Sequence, residues 1–283
     1  MNYRHAYHAG NFAGVVKHAV LARVVAHLRA KPAAFRILDT HAGAGLTDLA
    51  GPEATRSGEW REGVGRLRAA TFDGRVHALL APYLEALAAC NPDGQLRAYP
   101  GSPTLVRAWL RPQDRLLACE LEPAAASALG RRMRGDARVN VVTIDGWTAL
   151  SAYLPPKERR GAVLIDPPFE QPGEFDRLAA GLAVAHRKWA SGTYLAWYPI
   201  KDRQEVDAFH RKIVRAGIPK ALRAELIIGP ERAAERLAGT GLIVINPPWT
   251  LEADLAVLLP ALAGVLGRDH PGTFRLDWLT TKN

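Results

Sequence analysis

The stretch Val163-Leu164-Ile165-Asp166-Pro167-Pro168-Phe169 decides the fold. Its three aliphatic residues form a short apolar run, which is typical of a strand buried in a parallel sheet. Pro167 and Pro168 lack the N–H group that a central strand needs, so the strand is predicted to end at Asp166. Open α/β sheets bind their ligands beyond the carboxyl ends of their strands. Asp166 is therefore predicted to lie at a ligand-binding edge.

The turn after this strand is stiff, because proline fixes its own φ and favours extended geometry in the residue before it. It holds a carboxylate acceptor and an aromatic face at a fixed separation. A planar amine suits this pair: its NH2 group donates to Asp166 and to the Pro167 carbonyl, while its ring stacks on Phe169. The alternative is a plain strand end with a proline-rich turn. Asp166-Pro167-Pro168-Phe169 resembles the (Asp/Asn/Ser)-Pro-Pro-(Tyr/Phe/Trp) motif of S-adenosylmethionine-dependent amino-methyltransferases.

A second copy of that pattern, Asn246-Pro247-Pro248-Trp249, is a rival site. Asp166 is preferred because its strand is the fourth in the predicted sheet. The Asn246 copy follows a late strand, where a methyl donor should be out of reach.

The first predicted strand, Phe35 to Asp39, runs into a turn that contains Gly43 and Gly45. Glycine lets the chain turn tightly and approach a ligand closely. The spacing differs from the Gly-x-Gly-x-x-Gly of nicotinamide-binding proteins, which disfavours an oxidoreductase. No Gly-x-x-x-x-Gly-Lys-(Ser/Thr) phosphate loop occurs in the chain.

Two further strands also end next to acidic residues. Arg115 to Glu120 ends in Glu120, whose carboxylate can accept both hydroxyls of a ribose. Val139 to Ile144 is followed by Asp145-Gly146-Trp147, a turn that could hold an adenine.

The β-α alternation predicts a doubly wound, mostly parallel sheet. Seven strands are predicted in this Rossmann-like sheet, and Thr273 to Leu279 is a possible extra edge strand. Residues 52–101 have helical spacing and do not fit the alternation. They are predicted to form a small helical insertion in which Pro82 interrupts a helix or begins a turn. The main domain would then comprise 1–51 and 102–283.

The chain has 283 residues, a net charge of +9 and a sequence pI of about 9.8. A basic excess favours a polyanionic partner such as nucleic acid, although a basic composition alone can also reflect a GC-rich genome.

Two cysteines give neither a disulfide framework nor a metal-ligand pattern. No apolar run approaches the roughly 18 residues of a membrane span, and Met1 to His5 has no signal-peptide core. We therefore expect a cytoplasmic protein that needs no metal.

The N-terminus is rich in rings, as Tyr3-Arg4-His5-Ala6-Tyr7-His8 shows. Such groups can stack on unpaired bases and pair with phosphates, or can simply pack as an arm. The helix that follows has a wide apolar face, and Asn11 is its predicted cap.

Together these motifs resemble the bacterial 23S rRNA adenine-N6 methyltransferases of the RlmJ family, named for adenine 2030. The shared pieces span nearly the whole chain: Tyr-Arg-His-x-(Tyr/Phe)-His-Ala-Gly-Asn at 3–11, Leu-Asp-Thr-His-Ala-Gly-Ala-Gly at 38–45, Tyr-Pro-Gly-Ser-Pro at 99–103, Trp-Tyr-Pro at 197–199 and both Pro-Pro motifs. Phe169 departs from the tyrosine that the family often has there, and this change keeps the stacking face.

The resemblance implies a monomeric, class I S-adenosylmethionine-dependent methyltransferase with an inserted helical subdomain and no obligate protein partner. Asp166, Pro167 and Phe169 would be the catalytic residues, and Tyr3, Arg4 and His5 would contact the RNA together with Phe169. The implied cofactor contacts are His18, His41, Gly43, Ser102, Glu120, Asp145, Gly146 and Asp166.

Open alternatives are another planar nitrogen as the methyl acceptor (guanine N2, cytosine N4, DNA adenine or a protein glutamine) and a non-catalytic RNA-binding protein. Individually, His41 could be a buried structural imidazole, and Lys17 or His18 part of a solvated helix face.

Overall fold

Residues 5–230, 237–268 and 270–281 are described by a computed structural model of the chain. Over these residues the strands, in chain order, are β1 (Arg36–Asp39), β2 (Leu46–Asp48), β3 (Ala98–Pro100), β4 (Arg115–Glu120), β5 (Val139–Thr143), β6 (Gly161–Ile165), β7 (Thr193–Ile200), β8 (Ala221–Ile227), β9 (Gly239–Ile245) and β10 (Thr273–Trp278).

The α-helices are α1 (Phe12–Arg29), α2 (Pro52–Ser57), α3 (Arg66–Ala69), α4 (Gly74–Ala89), α5 (Ser102–Trp109), α6 (Pro123–Met133), α7 (Gly146–Ala152), α8 (Glu174–Lys188), α9 (Arg203–Arg215) and α10 (Leu251–Leu266). A 3-10 turn covers His5–His8 and a π-helical turn covers Arg61–Gly65.

The main sheet has the strand order β10-β8-β9-β7-β6-β1-β4-β5. β1 pairs in parallel with β4 on one side and with β6 on the other. The chain therefore winds outward from β1 to β5 and then returns to the opposite side of β1. This reversal leaves a crevice beyond the carboxyl ends of β1 and β6, which is where ligands bind in such sheets.

The prediction of a doubly wound α/β sheet is confirmed, but the sheet has eight strands and not seven. The additional strand is β10, the possible edge strand, which pairs antiparallel with β8 from Thr273↔Ile227 to Trp278↔Leu222. β9 also runs against its neighbours β7 and β8.

The reversed direction of β9 decides where the second Pro-Pro motif lies. Ile245, the last residue of β9, pairs with Tyr194 near the start of β7, whereas Gly239 pairs with Ile200 at its end. Asn246 therefore lies at the edge of the sheet opposite Asp166. Its amide donates to the carbonyl oxygens of Ala190 at 2.7 Å and Gly192 at 2.9 Å, so it serves as a structural anchor.

Helices cover both faces of the sheet. One core contains α1, α4, α5 and α10, and the other contains α7, α8 and α9. α1 is buried on most of its surface, with Val15, Val16 and Val24 fully inaccessible. Asn11 caps this helix as predicted, because its side chain accepts the Gly14 N–H at 2.8 Å.

Residues 52–101 contain α2, the π-helical turn, α3 and α4, and they pack against α1 and α10. The expectation that Pro82 breaks a helix is wrong: it lies inside α4. The Asp73 cap and the buried side chains of Leu80 and Tyr83 hold this helix together, and the Pro82 carbonyl accepts the Trp109 indole N–H at 3.0 Å. Sequence analysis also missed the pairing of β2 with β3, which closes the base of this segment.

Among the described helices, none combines the length and apolar character that a membrane span requires. Within the same residues, no cluster of three or more histidine, cysteine or acidic side chains could hold a metal ion.

Candidate active site

A cavity of about 620 Å³ opens at the crevice between β1 and β6. Its volume lies in the range of small-molecule and cofactor sites. Six of the predicted site residues line it: His18, His41, Gly43, Ser102, Asp166 and Phe169. The other four predicted residues do not line this cavity: Pro167, Glu120, Asp145 and Gly146. Glu120 contacts the lining residue Gly43, and Gly146 lies against the ring of the lining residue His41.

Asp166 follows the last residue of β6 and is almost fully buried, with 7% of its surface exposed. Lys17 reaches it from α1, and the ammonium donates to Asp166 Oδ2. The same Nζ lies 5.8 Å from the centroid of the Trp197 ring, a cation–π distance. The carboxylate therefore already holds a nitrogen donor beside an aromatic face.

Lys17 is a site residue that sequence analysis treated only as part of a helix face. Its signal was a single cation between Val16 and His18, inside a helix whose neighbouring positions are buried. Burying such a charge is costly unless it is paired. The pairing with Asp166 offsets that cost.

The turn after Asp166 places Phe169 at a φ of 53°, a conformation that costs free energy for a bulky residue. Glu174, at the start of α8, compensates by accepting the Phe169 backbone N–H. Burial raises the pKa of Glu174, while Arg177 and this N–H lower it. The Phe169 ring packs edge-on against Phe175 and Trp197, with centroids 4.9 and 5.6 Å away. Glu174 was not recognised from the sequence.

Asp39, the last residue of β1, lies fully buried beside this site. Its Oδ2 accepts the Ser102 hydroxyl at 2.6 Å. Burial raises the pKa of Asp39 to about 7, and the negative charge of Asp166 adds to the rise, while Ser102, Lys17 and the His41 N–H oppose it. Ser102 is therefore held in the cavity wall by a carboxyl group that titrates near neutral pH.

His18 lies one residue beyond Lys17 and is also buried. Its Nδ1 is 2.9 Å from the Tyr99 hydroxyl, which is 2.8 Å from the Tyr83 hydroxyl. Burial, with a smaller contribution from Lys17, holds the pKa of His18 well below its ordinary value, so the imidazole is neutral. Its Nε2 is buried without a hydrogen-bond partner among the described residues. A buried polar atom in a cavity wall calls for a polar ligand.

The glycine turn adopts left-handed geometry at Gly43 (φ 64°) and Gly45 (φ 82°), as its composition predicted. The Gly43 N–H donates to Glu120 Oε2 at 2.7 Å, and the Glu122 N–H donates to Glu120 Oε1 at 2.8 Å. Each carboxylate oxygen accepts more than one hydrogen bond, so Glu120 keeps acceptor capacity for a ligand.

Asp145 and Gly146 form the N-terminus of α7 next to the glycine turn. Asp145 caps the helix by accepting the Thr148 N–H at 2.9 Å. A Cβ atom at Gly146 would lie 2.4 Å from the Thr40 carbonyl oxygen and 2.8 Å from the His41 ring. Only glycine permits this approach. The His41 ring meets the Trp147 ring edge-on at 5.5 Å.

The N-terminal arm is only partly described. Tyr3 and Arg4, two of the predicted RNA contacts, lie outside the described residues, as does the side chain of His5. The backbone from His5 to His8 forms a 3-10 turn, and the Tyr7 carbonyl oxygen accepts the Ser57 hydroxyl at 2.5 Å. The arm is thus fastened to the inserted segment at the edge of the cavity.

The site fits S-adenosylmethionine on three observations: the buried Nε2 of His18, the close approach at Gly146 and the acidic ends of adjacent strands. A fold with this winding, a glycine turn after β1 and Asp-Pro-Pro-Phe after β6 defines a class I methyltransferase.

Comparison with known proteins identifies the family. The family model "Ribosomal RNA large subunit methyltransferase D, RlmJ" matches residues 32–280. Proteins named "Ribosomal RNA large subunit methyltransferase J" from Escherichia coli K12 and Haemophilus influenzae Rd are 38% and 37% identical, over 99% of each chain. A crystal structure of a Legionella pneumophila protein has a TM-score of 0.87 and 32% identity, covering 96% of this chain and 98% of that one. The chain belongs to the RlmJ family of methyltransferases.

Proposed function

We propose that the protein transfers a methyl group from S-adenosylmethionine to the exocyclic N6 of one adenine, 2030, in 23S rRNA. Family membership supports the substrate. The single observation that carries the chemistry is the buried Asp166 carboxylate, which accepts a nitrogen donor, the Lys17 ammonium, beside the Trp197 ring.

Asp166 and the Pro167 carbonyl accept the two N6 hydrogens in this proposal. The N6 lone pair is delocalised into the ring, and acceptors on both hydrogens localise it on nitrogen. They also stabilise the positive charge that develops on nitrogen during transfer, and such preorganised electrostatics are often the largest contribution to catalysis. No strong base is needed, because the proton leaves after the methyl group has arrived.

Phe169 and Trp197, which pack edge-on against each other, are proposed to form the aromatic wall for the adenine ring. The target base must leave its stack to reach a buried carboxylate, so it is flipped or presented in a loop. When the base arrives, the Lys17 ammonium shares or yields the carboxylate that it now contacts. The Trp197 ring, 5.8 Å from the same Nζ, would continue to stabilise the cation.

S-adenosylmethionine supplies an electrophilic methyl group on sulfur when it is bound. His18 and Ser102 would hold its charged amino-acid end, since both are buried polar groups in the cavity wall. The remaining cofactor contacts are proposed to be His41, Gly43, Glu120, Asp145, Gly146 and Asp166.

Residues 52–101 are proposed to be an inserted recognition unit within a main domain of 1–51 and 102–283. The N-terminal arm supports this view, because it contacts the insertion and both segments line the cavity. Tyr3, Arg4 and His5 are proposed to contact the RNA with Phe169. We also propose that the enzyme acts as a monomer in the cytoplasm.

The test is methyl transfer from labelled S-adenosylmethionine to protein-free 23S rRNA that lacks its natural modifications, followed by nucleoside analysis. We expect N6-methyladenosine at one position. Label in another nucleoside, in DNA or in protein would replace the proposed acceptor. Cofactor binding without label in any acceptor would leave a non-catalytic RNA-binding protein.

A further inference from the structure

The cavity extends past Asp166 to an opening that the proposed chemistry does not use. We define the outer mouth as His8 and Glu59 on one side and Lys201 and Arg268 on the other, all of which line the cavity. The first side belongs to the N-terminal arm and the insertion. The second side follows the carboxyl ends of β7 and α10. A polymer that enters the cavity from this side would pass these four residues.

The two sides of the outer mouth differ in charge. Glu59 is already satisfied, because its carboxylate lies 3.0 Å from His8 Nδ1 and accepts the Asn11 amide at 3.0 Å. Glu62 is paired with Arg66 behind it. On the other side, Lys201 and Arg268 are exposed, and no carboxylate in the described part of the chain pairs with either. The available charge at the outer mouth is thus positive.

The two sides also interact electrostatically. Burial raises the pKa of Glu59, but His8, Asn11 and Arg268 together bring it below its ordinary value. Arg268 therefore acts on the same part of the cavity as Glu59. Asp166, further inside, is almost fully buried, so a base must leave its stack to reach it, and a single strand presents such a base.

Both cations are positioned by the sheet. Lys201 comes directly after β7, four residues beyond Trp197. The Arg268 N–H donates to the Ile228 carbonyl oxygen at 3.3 Å, and its guanidinium donates to the Leu237 carbonyl oxygen at 3.4 Å. The backbone of Lys201 and the guanidinium of Arg268 therefore lie at defined places relative to Phe169 and Trp197.

We propose that Lys201 and Arg268 bind the phosphates of the nucleotides that flank the target adenine in single-stranded RNA. This inference rests on the proposed function and deepens it. Phosphate contacts position a nucleic acid and fix its register, and lysine and arginine provide most of them. Here they would hold the strand across the outer mouth while the target base reaches Asp166 beside Phe169.

The test compares the wild type with Lys201→Gln, Arg268→Gln and the double variant. KM for unmodified 23S rRNA transcript is measured over a series of KCl concentrations, with kcat from the same data and the affinity for S-adenosylmethionine from calorimetry. Lys220→Gln is the matched control, because Lys220 is an exposed lysine at the opposite edge of the sheet. The pair Lys201→Arg and Arg268→Lys keeps both charges.

Each lost phosphate contact should reduce the slope of log KM against log salt by about 0.7, so the double variant should lose about 1.4. KM should rise severalfold at low salt, with kcat and cofactor affinity unchanged. The charge-preserving pair and the Lys220 control should keep the wild-type slope.

An unchanged KM and salt slope in the double variant, with cofactor binding intact, would overturn the assignment while the proposed function stands. A loss of kcat without a change in salt slope would also overturn it, since the residues would then act through structure. Failure of the wild-type enzyme to methylate the transcript would remove the proposed function and this inference with it.

Discussion

At the scale of single residues, the Lys17–Asp166 ion pair dominates the site. Both side chains are largely buried, with 13% and 9% exposed. Removing one partner of a buried pair leaves an uncompensated charge, which costs about 3–5 kcal/mol in fully buried cases. The pair therefore makes a charged acceptor tolerable at the edge of the sheet.

Lys17→Met should lower the free energy of unfolding by a few kcal/mol and slow methyl transfer. Lys17→Arg keeps the charge and should retain most of the stability. Adding Asp166→Asn to Lys17→Met should restore stability without restoring transfer. Chemical denaturation of the wild type, the single variants Lys17→Met and Asp166→Asn and their double variant forms a double-mutant cycle, and a coupling energy near zero would contradict the ion pair.

Asp39 makes stability depend on pH. Its pKa is about 7 in the folded protein and about 3.9 in an unfolded chain. The folded state therefore holds the proton more tightly, so the free energy of unfolding should fall as pH rises between these values and level off above pH 7.

Asp39→Asn removes this titration and can still accept the Ser102 hydroxyl. Relative to the wild type, it should gain stability as pH rises from about 4 to 7, by up to about 4 kcal/mol. Asp93→Asn, at an exposed turn, is the control. Thermal or urea unfolding of the ligand-free proteins measures the difference, and parallel pH curves for Asp39→Asn and wild type would refute the buried titration.

At the scale of elements, the N-terminus of α7 approaches the end of β1 closely at Gly146. Gly146→Ala would place a methyl group 2.4 Å from the Thr40 carbonyl oxygen. Such overpacking typically costs about 1–3 kcal/mol. Because the shift also displaces His41, we expect weaker binding of S-adenosylmethionine in calorimetry.

Gly130→Ala is the matched control, since a Cβ in the middle of α6 meets nothing within 4 Å. It should raise stability by about 0.5–1 kcal/mol and leave cofactor binding unchanged. Equal effects of the two substitutions would show that α7 has room to move.

The major elements were predictable where the apolar pattern of a segment agrees with the residues that end it. The apolar strands that end at or before Asp39, Glu120 and Asp166 predicted both the sheet and its ligand-binding edge. β2 and β3 have only three residues each, which is too short for a periodic pattern. They pair because the chain comes back to the glycine turn at Gly101, whose N–H donates to the Gly45 carbonyl oxygen. α4 continues through Pro82 because tertiary packing outweighs the lost hydrogen bond.

The candidate site was predictable to a similar extent. His18, Ser102 and Asp166 meet in one cavity, although they come from separate motifs. Lys17 and Glu174 were missed. The role of Lys17 depends on Asp166, 149 residues away, and that of Glu174 on the backbone N–H of Phe169. Neither relation leaves a local sequence pattern.

At the scale of the whole molecule, the sheet separates two motifs that look alike. Asp166 lies at the carboxyl edge inside the cavity, whereas Asn246 lies at the opposite edge. Trp249, next to Asn246, is 86% exposed. One copy of the pattern therefore forms the candidate site, and the other anchors a surface turn.

Trp249→Ala should leave both transfer and stability within error, because a well-exposed side chain contributes little. Asn246→Ala should cost about 1–3 kcal/mol, since two backbone carbonyls lose their donor and alanine disfavours the φ of 48°. Its kcat at a temperature where it is folded should equal that of the wild type. A selective loss of kcat in either variant would move the chemistry to this edge.

The most direct test of the central claim is single-turnover methyl transfer by Asp166→Asn, alongside calorimetry with S-adenosylmethionine. The substitution keeps the shape of the side chain but exchanges one acceptor for a donor that opposes the N6 hydrogens. We expect a folded protein that binds the cofactor and transfers the methyl group to 23S rRNA at least about 100-fold more slowly. A transfer rate close to that of the wild type would contradict the assignment of Asp166 as the acceptor that activates N6.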